Sequence, residues 1–312
     1  MTRKKINLAV IFYGNPDQLS VNQSQFSDLK KNLFDFNLKK YDFNKKEHKK
    51  LLGDFKNEKI DAVLKNSYGR GHESDLELFL ELNRIPYFGS NVKSTFLGTS
   101  KLLSKKKFRL FKLPVAKDVY VDKIIWNKSK AKIVEQIKEK IGFPCLIKDI
   151  EGTDSRGISI IKNNKQSKII LEREARKYNG VIVEQYIKDA YEITCFVVGN
   201  KKLIAYEPVG LIKDEMIISG KMKDMGIKRI EIPINLPKNI IKEAKKISKL
   251  AHKSLGCRTF SRSDILIKNK KLYLIEVDVH PGFRAISPTC LSARYAGQNM
   301  NQLFLEFYKL IK

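Results

Sequence analysis

The sequence predicts an α/β fold that passes into α+β. Three observations carry that expectation. The first third alternates apolar strands with helix-spaced segments, which favours a parallel sheet. The last third carries two hairpin signals, Gly199-Asn200 and Lys268-Asn269-Lys270-Lys271, each between apolar runs. The chain has 312 residues, a length that folds as two or three subdomains rather than one core.

The elements follow in order. Ile6 to Phe12 is a buried strand, and Ser24 to Phe36 has the apolar spacing of a helix. Ile60 to Leu64 is a second strand, followed by Tyr68-Gly69-Arg70-Gly71. Asp75 to Asn83 reads as a helix with Leu76, Phe79, Leu80 and Leu82 facing inward, and Ile85 to Gly89 is a short extended exit. Ser100 to Phe111 is a basic helix broken at Leu113-Pro114. Lys130 to Lys140 is helical, and Gly142 to Lys148 is a strand ending in lysine. Gly152 to Gly157 is a polar tip before the strand Ile158 to Lys162, and Val181 to Tyr186 is a further strand. Glu192 to Val198 pairs with Lys202 to Val209, and Asp264 to Ile267 with Leu272 to Val277. Ile240 to Leu255 and Asn299 to Ile311 are helices, the first coated with lysine.

Composition excludes several classes. A hydrophobic content of 42% is enough for a core, so general disorder is excluded. No apolar run approaches the ~20 residues of a membrane helix. The basic start runs straight into a short strand and a turn, unlike a signal peptide. The four cysteines (Cys145, Cys195, Cys257, Cys290) are far apart and fit buried thiols in a reducing cytoplasm. Lys+Arg 61 against Asp+Glu 34 gives a formal charge of +27. That excess reads either as solvated lysine faces or as a groove for a polyanion. The clusters Lys105-Lys106-Lys107 and Lys245-Lys246 lie inside helical patterns and read as solvated faces.

The residues with the most chemistry are Arg262-Ser263-Asp264 and Glu276-Val277-Asp278-Val279-His280-Pro281-Gly282. Alternation puts Glu276 and Asp278 on one face of a strand. The antiparallel return can bring Asp264 beside them. Three converging carboxylates repel unless a cation stands among them, and hard oxygen ligands suit Mg2+ shared with phosphate. The bland alternative is an exposed hairpin with scattered acids. Zinc through His280 has no second His or Cys at ligand spacing. Lys101 and Lys148 sit at the edges of apolar elements, where an ammonium either meets a phosphate or snorkels to water. The Gly152–Gly157 tip can close backbone N–H groups over phosphates.

Taken in order, these features resemble the ATP-grasp superfamily, and within it the D-alanine–D-alanine ligases and their relatives. Tyr68-Gly69-Arg70-Gly71-His72-Glu73 through Leu82-Asn83-Arg84-Ile85-Pro86-Tyr87-Phe88-Gly89-Ser90 is similar to the family's HGxxGE…LELxGIPYxGS stretch. Arg262-x-Asp264, Glu276-x-Asp278-x-x-Pro281-Gly282 and Ser287 are similar to its RxD…ExNxxPG…S pattern. The resemblance implies an ATP-grasp fold with an N-terminal parallel-sheet domain. Its three units would be residues 1–93, 94–186 and 187–312. For ATP it implies the phosphate lysines Lys101 and Lys148, the hinge residues Glu184, Tyr186 and Ile187, the ribose acid Glu192, and Ser155 in the tip. For catalysis it implies Arg262, Gly282 and the mobile-loop Lys221. Metal ligands would be Asp264, Glu276 and Asp278, holding Mg2+ or Mn2+. Ser287, Glu73 and Asp17 would meet the amino-acid substrates. The segments Gly152–Gly157 and Lys213–Gly226 would be lids.

The same resemblance implies a cytoplasmic homodimer that takes amino acids and needs neither nucleic acid nor membrane. The expected reaction is ATP-dependent ligation of a carboxylate to an amine through an acyl phosphate, with two D-alanines as substrates. Departures lie at Asp278 for the usual Asn, Tyr68 for His, Asp149 for Pro and Asp154 for Ser, and Met222 stands where a Tyr follows Lys221. The acid that captures the first amino group has no clear counterpart around Gly14-Asn15-Pro16-Asp17-Gln18, and the departures in this N-terminal region leave open a ligase for another amino-acid pair. A non-catalytic basic binding protein is the reading from a different class.

Overall fold

A computed structural model describes residues 4–12, 19–42, 45–66, 73–151, 158–212 and 229–312, and side chains for the same residues except 19–21, 45, 46, 73 and 229. Asp17, Tyr68, Ser155, Lys221 and both expected lids therefore lie outside the described residues, as does the side chain of Glu73.

The first sheet is parallel, in the order β2 (Phe36–Asp42), β1 (Ile6–Phe12), β3 (Ala62–Lys65) and β4 (Tyr87–Phe88). Its helices are α1 (Leu19–Asn32), α2 (Lys45–Lys56) and α3 (Glu73–Leu82). The expected first helix ends four residues early, because Phe36 pairs with Ile6 and opens β2. Strand β2 left no apolar signature, since an edge strand half open to water needs few buried side chains. Leu76 and Leu80 are buried as expected and Phe79 packs against them, but Leu82, in the last turn of α3, is 75% exposed and does not face inward.

Helices α4 (Val92–Thr99) and α5 (Lys101–Leu110) lead to the second sheet. Both are capped at the N-terminus, by Asn91 and Ser100. The second sheet is antiparallel, with β5 (Asp118–Val121), β8 (Val181–Gln185), β6 (Cys145–Asp149) and β7 (Ile158–Ile161) side by side. Helices α6 (Lys123–Lys128), α7 (Lys130–Lys140) and α8 (Asn164–Lys177) accompany it. Its core is local: Trp126, Ile137, Ile147, Leu171 and Val183 pack together.

The third sheet runs β12 (Arg229–Glu231), β11 (Val209–Ile212), β9 (Tyr191–Gly199), β13 (Phe260–Lys268) and β14 (Lys271–Asp278), with β10 (Leu203–Ala205) also on β9. The expected Lys202–Val209 strand is thus two pieces. Pro208, which has no N–H to give the ladder, lies in the break. Helix α9 (Lys238–Leu255) covers this sheet, and its C-cap Gly256 takes the left-handed φ of +72°. Helices α10 (Pro288–Tyr295) and α11 (Met300–Ile311) close the chain.

The last helix decides how the units join. Phe304 and Phe307 of α11 enter a core with Leu8 and Val10 of the first sheet and Phe196 and Phe260 of the third. The rings of Phe88 and Phe304 stand 6.0 Å apart, and those of Phe260 and Phe307 4.8 Å. Sheets one and three thus share one hydrophobic core, while sheet two keeps its own. All four cysteines are free and buried. Among the described residues no helix is long and apolar enough to cross a membrane.

Candidate active site

The antiparallel pair β13 and β14 builds the centre of the site. Its register sets Arg262 opposite Asp278 and Asp264 opposite Glu276. The register shifts between Asp264 and Ile265, leaving Ile275 as the extra residue. The four charged side chains therefore share one patch of the sheet. Arg262 Nε lies 3.2 Å from Asp264 Oδ1 and its terminal nitrogen 3.3 Å from Asp278 Oδ2. Thr194, on β9, donates its hydroxyl to Asp264 Oδ1 at 2.7 Å. Burial alone would lower the Arg262 pKa, but the carboxylates of Asp264, Asp278 and Glu276 more than offset it, and the guanidinium is held charged.

Glu276 is the tense member. Loss of hydration raises its pKa, and the negative charge of Asp264 and Asp278 raises it further, against the pull of Lys101 and Lys148. A cation at this point would relieve the repulsion. Among the described residues no three Asp, Glu, His or Cys side chains stand close enough to hold a metal unaided. Carboxylate oxygens suit a hard cation such as Mg2+, whose shell phosphate and water would complete. The donor set is all oxygen, and no His or Cys joins it.

The second sheet and α5 offer the basic groups. Lys148, near the end of β6, is buried and bonded to Glu184 Oε2 at 2.6 Å. Its burial lowers the pKa, but Glu184 outweighs that and the net shift is upward. Glu184, on β8, gives its other oxygen to Lys105 at 2.5 Å. Lys105 also reaches Asp118 at 3.0 Å, and Arg109 pairs with the same carboxylate. Burial would raise the Glu184 pKa, yet Lys148 and Lys105 bring it down to about 2. Lys101 opens α5, its N–H bonded to the Ile150 carbonyl at 2.9 Å. Burial lowers its pKa, with Glu276 pulling the other way. Tyr186 and the buried Ile187 follow β8, and Glu192 is the second residue of β9.

Lys105 corrects the sequence reading. It was expected on a solvated face with Lys106 and Lys107, yet it is 3% exposed. It stands four residues after Lys101 on α5, so both lysines share the inward face. That i, i+4 spacing, with the acids Asp118 and Glu184 on neighbouring strands, was the available signal. Glu184 likewise does more than mark a hinge, for both its oxygens hold lysines.

After β14 the chain turns through His280, Pro281 and Gly282. The His280 N–H donates to Asp278 Oδ1 at 2.8 Å, and Thr289 donates its hydroxyl to the Gly282 carbonyl at 2.6 Å. Ser287 caps α10, with its hydroxyl 2.8 Å from that of Thr289. The helix N-terminus beside it favours a carboxylate. The His280 ring lies against Lys65 of β3 and Glu77 of α3. Thr194, Lys65 and Glu77 had no motif to announce them.

The architecture, three sheets with the carboxylates of the third in electrostatic reach of Lys101 and Lys148, is that of an ATP-grasp protein. Solved structures of the same fold include the D-alanine–D-alanine ligase of Bacillus anthracis complexed with ATP, with TM-score 0.78 and 24% identity over 98% of this chain and 97% of that one. The VanG D-Ala:D-Ser ligase of Enterococcus faecalis superposes with TM-score 0.82 and 21% identity, covering 99% and 100% of the two chains. Residues 108–309 match the family described as D-ala D-ala ligase C-terminus, and the chain belongs to that family. Similar relatives are the D-alanine–D-alanine ligases of Pelagibacter ubique, 29% identical over 81% of this chain and 79% of that protein, and of Syntrophobacter fumaroxidans, 28% identical over 79% and 78%.

Proposed function

We propose that this chain is an ATP-dependent ligase that joins two D-alanines through an acyl phosphate. The observation that carries the reading is the Arg262–Asp264–Glu276–Asp278 patch facing Lys101 and Lys148, in a chain of this family. Relatives bearing the name D-alanine–D-alanine ligase support the choice of substrate.

Lys101 and Lys148 neutralise the ATP phosphates, and Glu184 holds Lys148 charged and aimed. Tyr186 and Ile187 border the base, and Glu192 takes the ribose hydroxyls. Asp264, Glu276 and Asp278 would hold Mg2+, or Mn2+, which supplies charge neutralisation at the transferring phosphoryl group. The carboxylate of the first substrate takes the γ-phosphoryl group from ATP, and ADP leaves. The amine of the second attacks the acyl carbonyl, and phosphate departs with the former carboxylate oxygen. Arg262 and the Gly282 N–H stabilise the oxyanion of that attack, while Ser287 binds the second carboxylate. Glu73 and Asp17 are assigned to the first substrate, Ser155 and Lys221 to the phosphates. The units 1–93, 94–186 and 187–312 enclose this site, and the enzyme works as a cytoplasmic homodimer.

The test is coupled ADP release with Mg-ATP over D- and L-amino acids, including D-alanine and D-serine, with the product weighed by mass spectrometry. ADP release that requires D-alanine, with D-alanyl-D-alanine as product, is expected. Glu276→Gln should lower it by about 10²–10³-fold in a folded protein. Release independent of any amino acid, or undiminished in Glu276→Gln, sinks the proposal.

A further inference from the structure

One cluster of charge is not used by the chemistry above. Lys65 ends β3 in the first sheet, Glu77 lies on α3, and His280 follows the metal-site strand of the third sheet. All three meet in the interior. Glu77 is 0% exposed, and Lys65 is buried with it. His280 Nε2 lies 2.7 Å from Glu77 Oε1 and 2.9 Å from Lys65 Nζ. That nitrogen donates to the carboxylate in one tautomer and accepts from the ammonium in the other, so the ring is gripped either way. Lys65 also pairs with Glu77 and donates to the Ser90 carbonyl at 3.2 Å, and Thr95 donates to Glu77 Oε1 at 3.1 Å.

The surroundings are shaped for this lysine. Its ammonium stands 4.8 Å from the centre of the Tyr87 ring. Gly89, which borders Lys65 and the Phe260 ring at ordinary contact distance, takes a φ of +105° that a residue with a side chain rarely adopts. Among the described residues the cluster also leaves Glu77 Oε2 buried with no hydrogen-bond partner. Burying ions this way is a poor route to stability, since apolar groups of the same volume do as well or better. A specific geometry is the better account of it.

What the cluster holds is the turn after β14. The residue whose ring is gripped also gives its backbone N–H to Asp278 Oδ1 at 2.8 Å. Two residues on lies Gly282. Fixing the His280 ring against the first sheet therefore fixes the angle of the Asp278 carboxylate and the Gly282 N–H together. We propose that Lys65, Glu77 and His280 are positioning residues that seat the 278–282 turn on the N-terminal sheet, setting Asp278 and Gly282 for the reaction. The proposal rests on the ligation reading of that site.

The double variant K65M/E77L removes both buried charges while keeping volume. It is expected to fold with an unchanged or higher melting temperature and to bind Mg-ATP within about twofold of the parent. Its kcat for amine-dependent ADP release should fall about tenfold. Hydrogen exchange of the amides of residues 278–284 should quicken at least tenfold, with the rest of β13 and β14 unmoved. His280→Met should reproduce both effects. His280→Gln, whose amide can accept from Lys65 and donate to Glu77, should restore most of the rate and protection. Parent-like exchange at 278–284 in either disrupting variant overturns the proposal, as does a parent-like kcat. The exchange measurement needs no turnover. If the parent ligates nothing, the ligation reading fails while the seating of the turn is still decided.

Discussion

The two walls of the site, one on the second sheet and one on the third, carry opposite electrostatics. On the second sheet, Glu184 and Asp118 are matched by Lys105, Lys148 and Arg109, and every carboxylate oxygen of Glu184 meets an ammonium. On the third sheet, Arg262 pairs with Asp264 and Asp278, and the same two carboxylates raise the pKa of Glu276. Among the described residues the first wall balances its own charge, and under the proposed function Lys148 would turn to a phosphate. The second wall carries more negative than positive charge among the described residues, which a hydrated divalent cation would offset. Packing follows the same division. The basic wall stands on a self-contained core, while the sheet of the acidic wall packs one cluster against α9 and shares another with the N-terminal sheet through α11.

The sharpest way to break this comparison is at Arg262. If the acidic wall belongs to the ligation step, Arg262→Ala should lower the ligation rate about 10²–10³-fold. ATP affinity should change little, because the basic wall is untouched. Stopped-flow ADP release and equilibrium ATP binding separate the two. A collapse of ATP affinity with the rate at saturating ATP preserved would move Arg262 to the nucleotide and dissolve the contrast.

Glu184→Gln tests the other wall. It leaves Lys105 and Lys148 buried with less than their matching charge, and breaking a buried pair in this way costs about 3–5 kcal/mol. Denaturant unfolding should show that loss, and ATP affinity should weaken as Lys148 loses its orientation. Ligation measured at saturating ATP should suffer less. If stability and ATP affinity both match the parent, the pairing is incidental and the basic wall is not built as described.

The acidic wall was more legible in the sequence than the basic one. Arg262, Asp264, Glu276 and Asp278 lie on one hairpin, so alternation and register placed them without knowledge of the rest of the fold. Lys105, Asp118 and Glu184 lie on α5, β5 and β8, and only the closed second sheet brings them together. In a chain with so many lysines, Lys105 looked like its solvated neighbours. Lys65, Glu77 and His280 are further apart still: residue 65 meets residue 280 only because α11 clamps the first sheet to the third. Strand β2 was invisible for the opposite reason, since it exposes much of itself and leaves a weak pattern.

The smallest expected effect lies behind the acidic wall. His252 of α9 is 1% exposed, and its Nδ1 lies 2.8 Å from the Ser261 hydroxyl, beside Arg262. Burial pushes its pKa down to about 4, against 6.5 for a free ring. The folded state therefore holds the ring neutral, and the unfolded state takes the proton first. This contribution to stability is full above pH 6.5 and is lost as pH falls towards 4, by about 3 kcal/mol in all. Glu77 and Glu184, each near a pKa of 2, lose theirs only below pH 4.5. Between pH 6.5 and 4.5 the His252 slope can thus be read apart from both carboxylates. His252→Asn keeps a polar group for Ser261 but cannot titrate, so its unfolding free energy should be flatter across that window. Equal slopes for parent and variant would show that the acid sensitivity arises elsewhere, with His48 and His280, whose pKa values burial also lowers, as the next groups to replace.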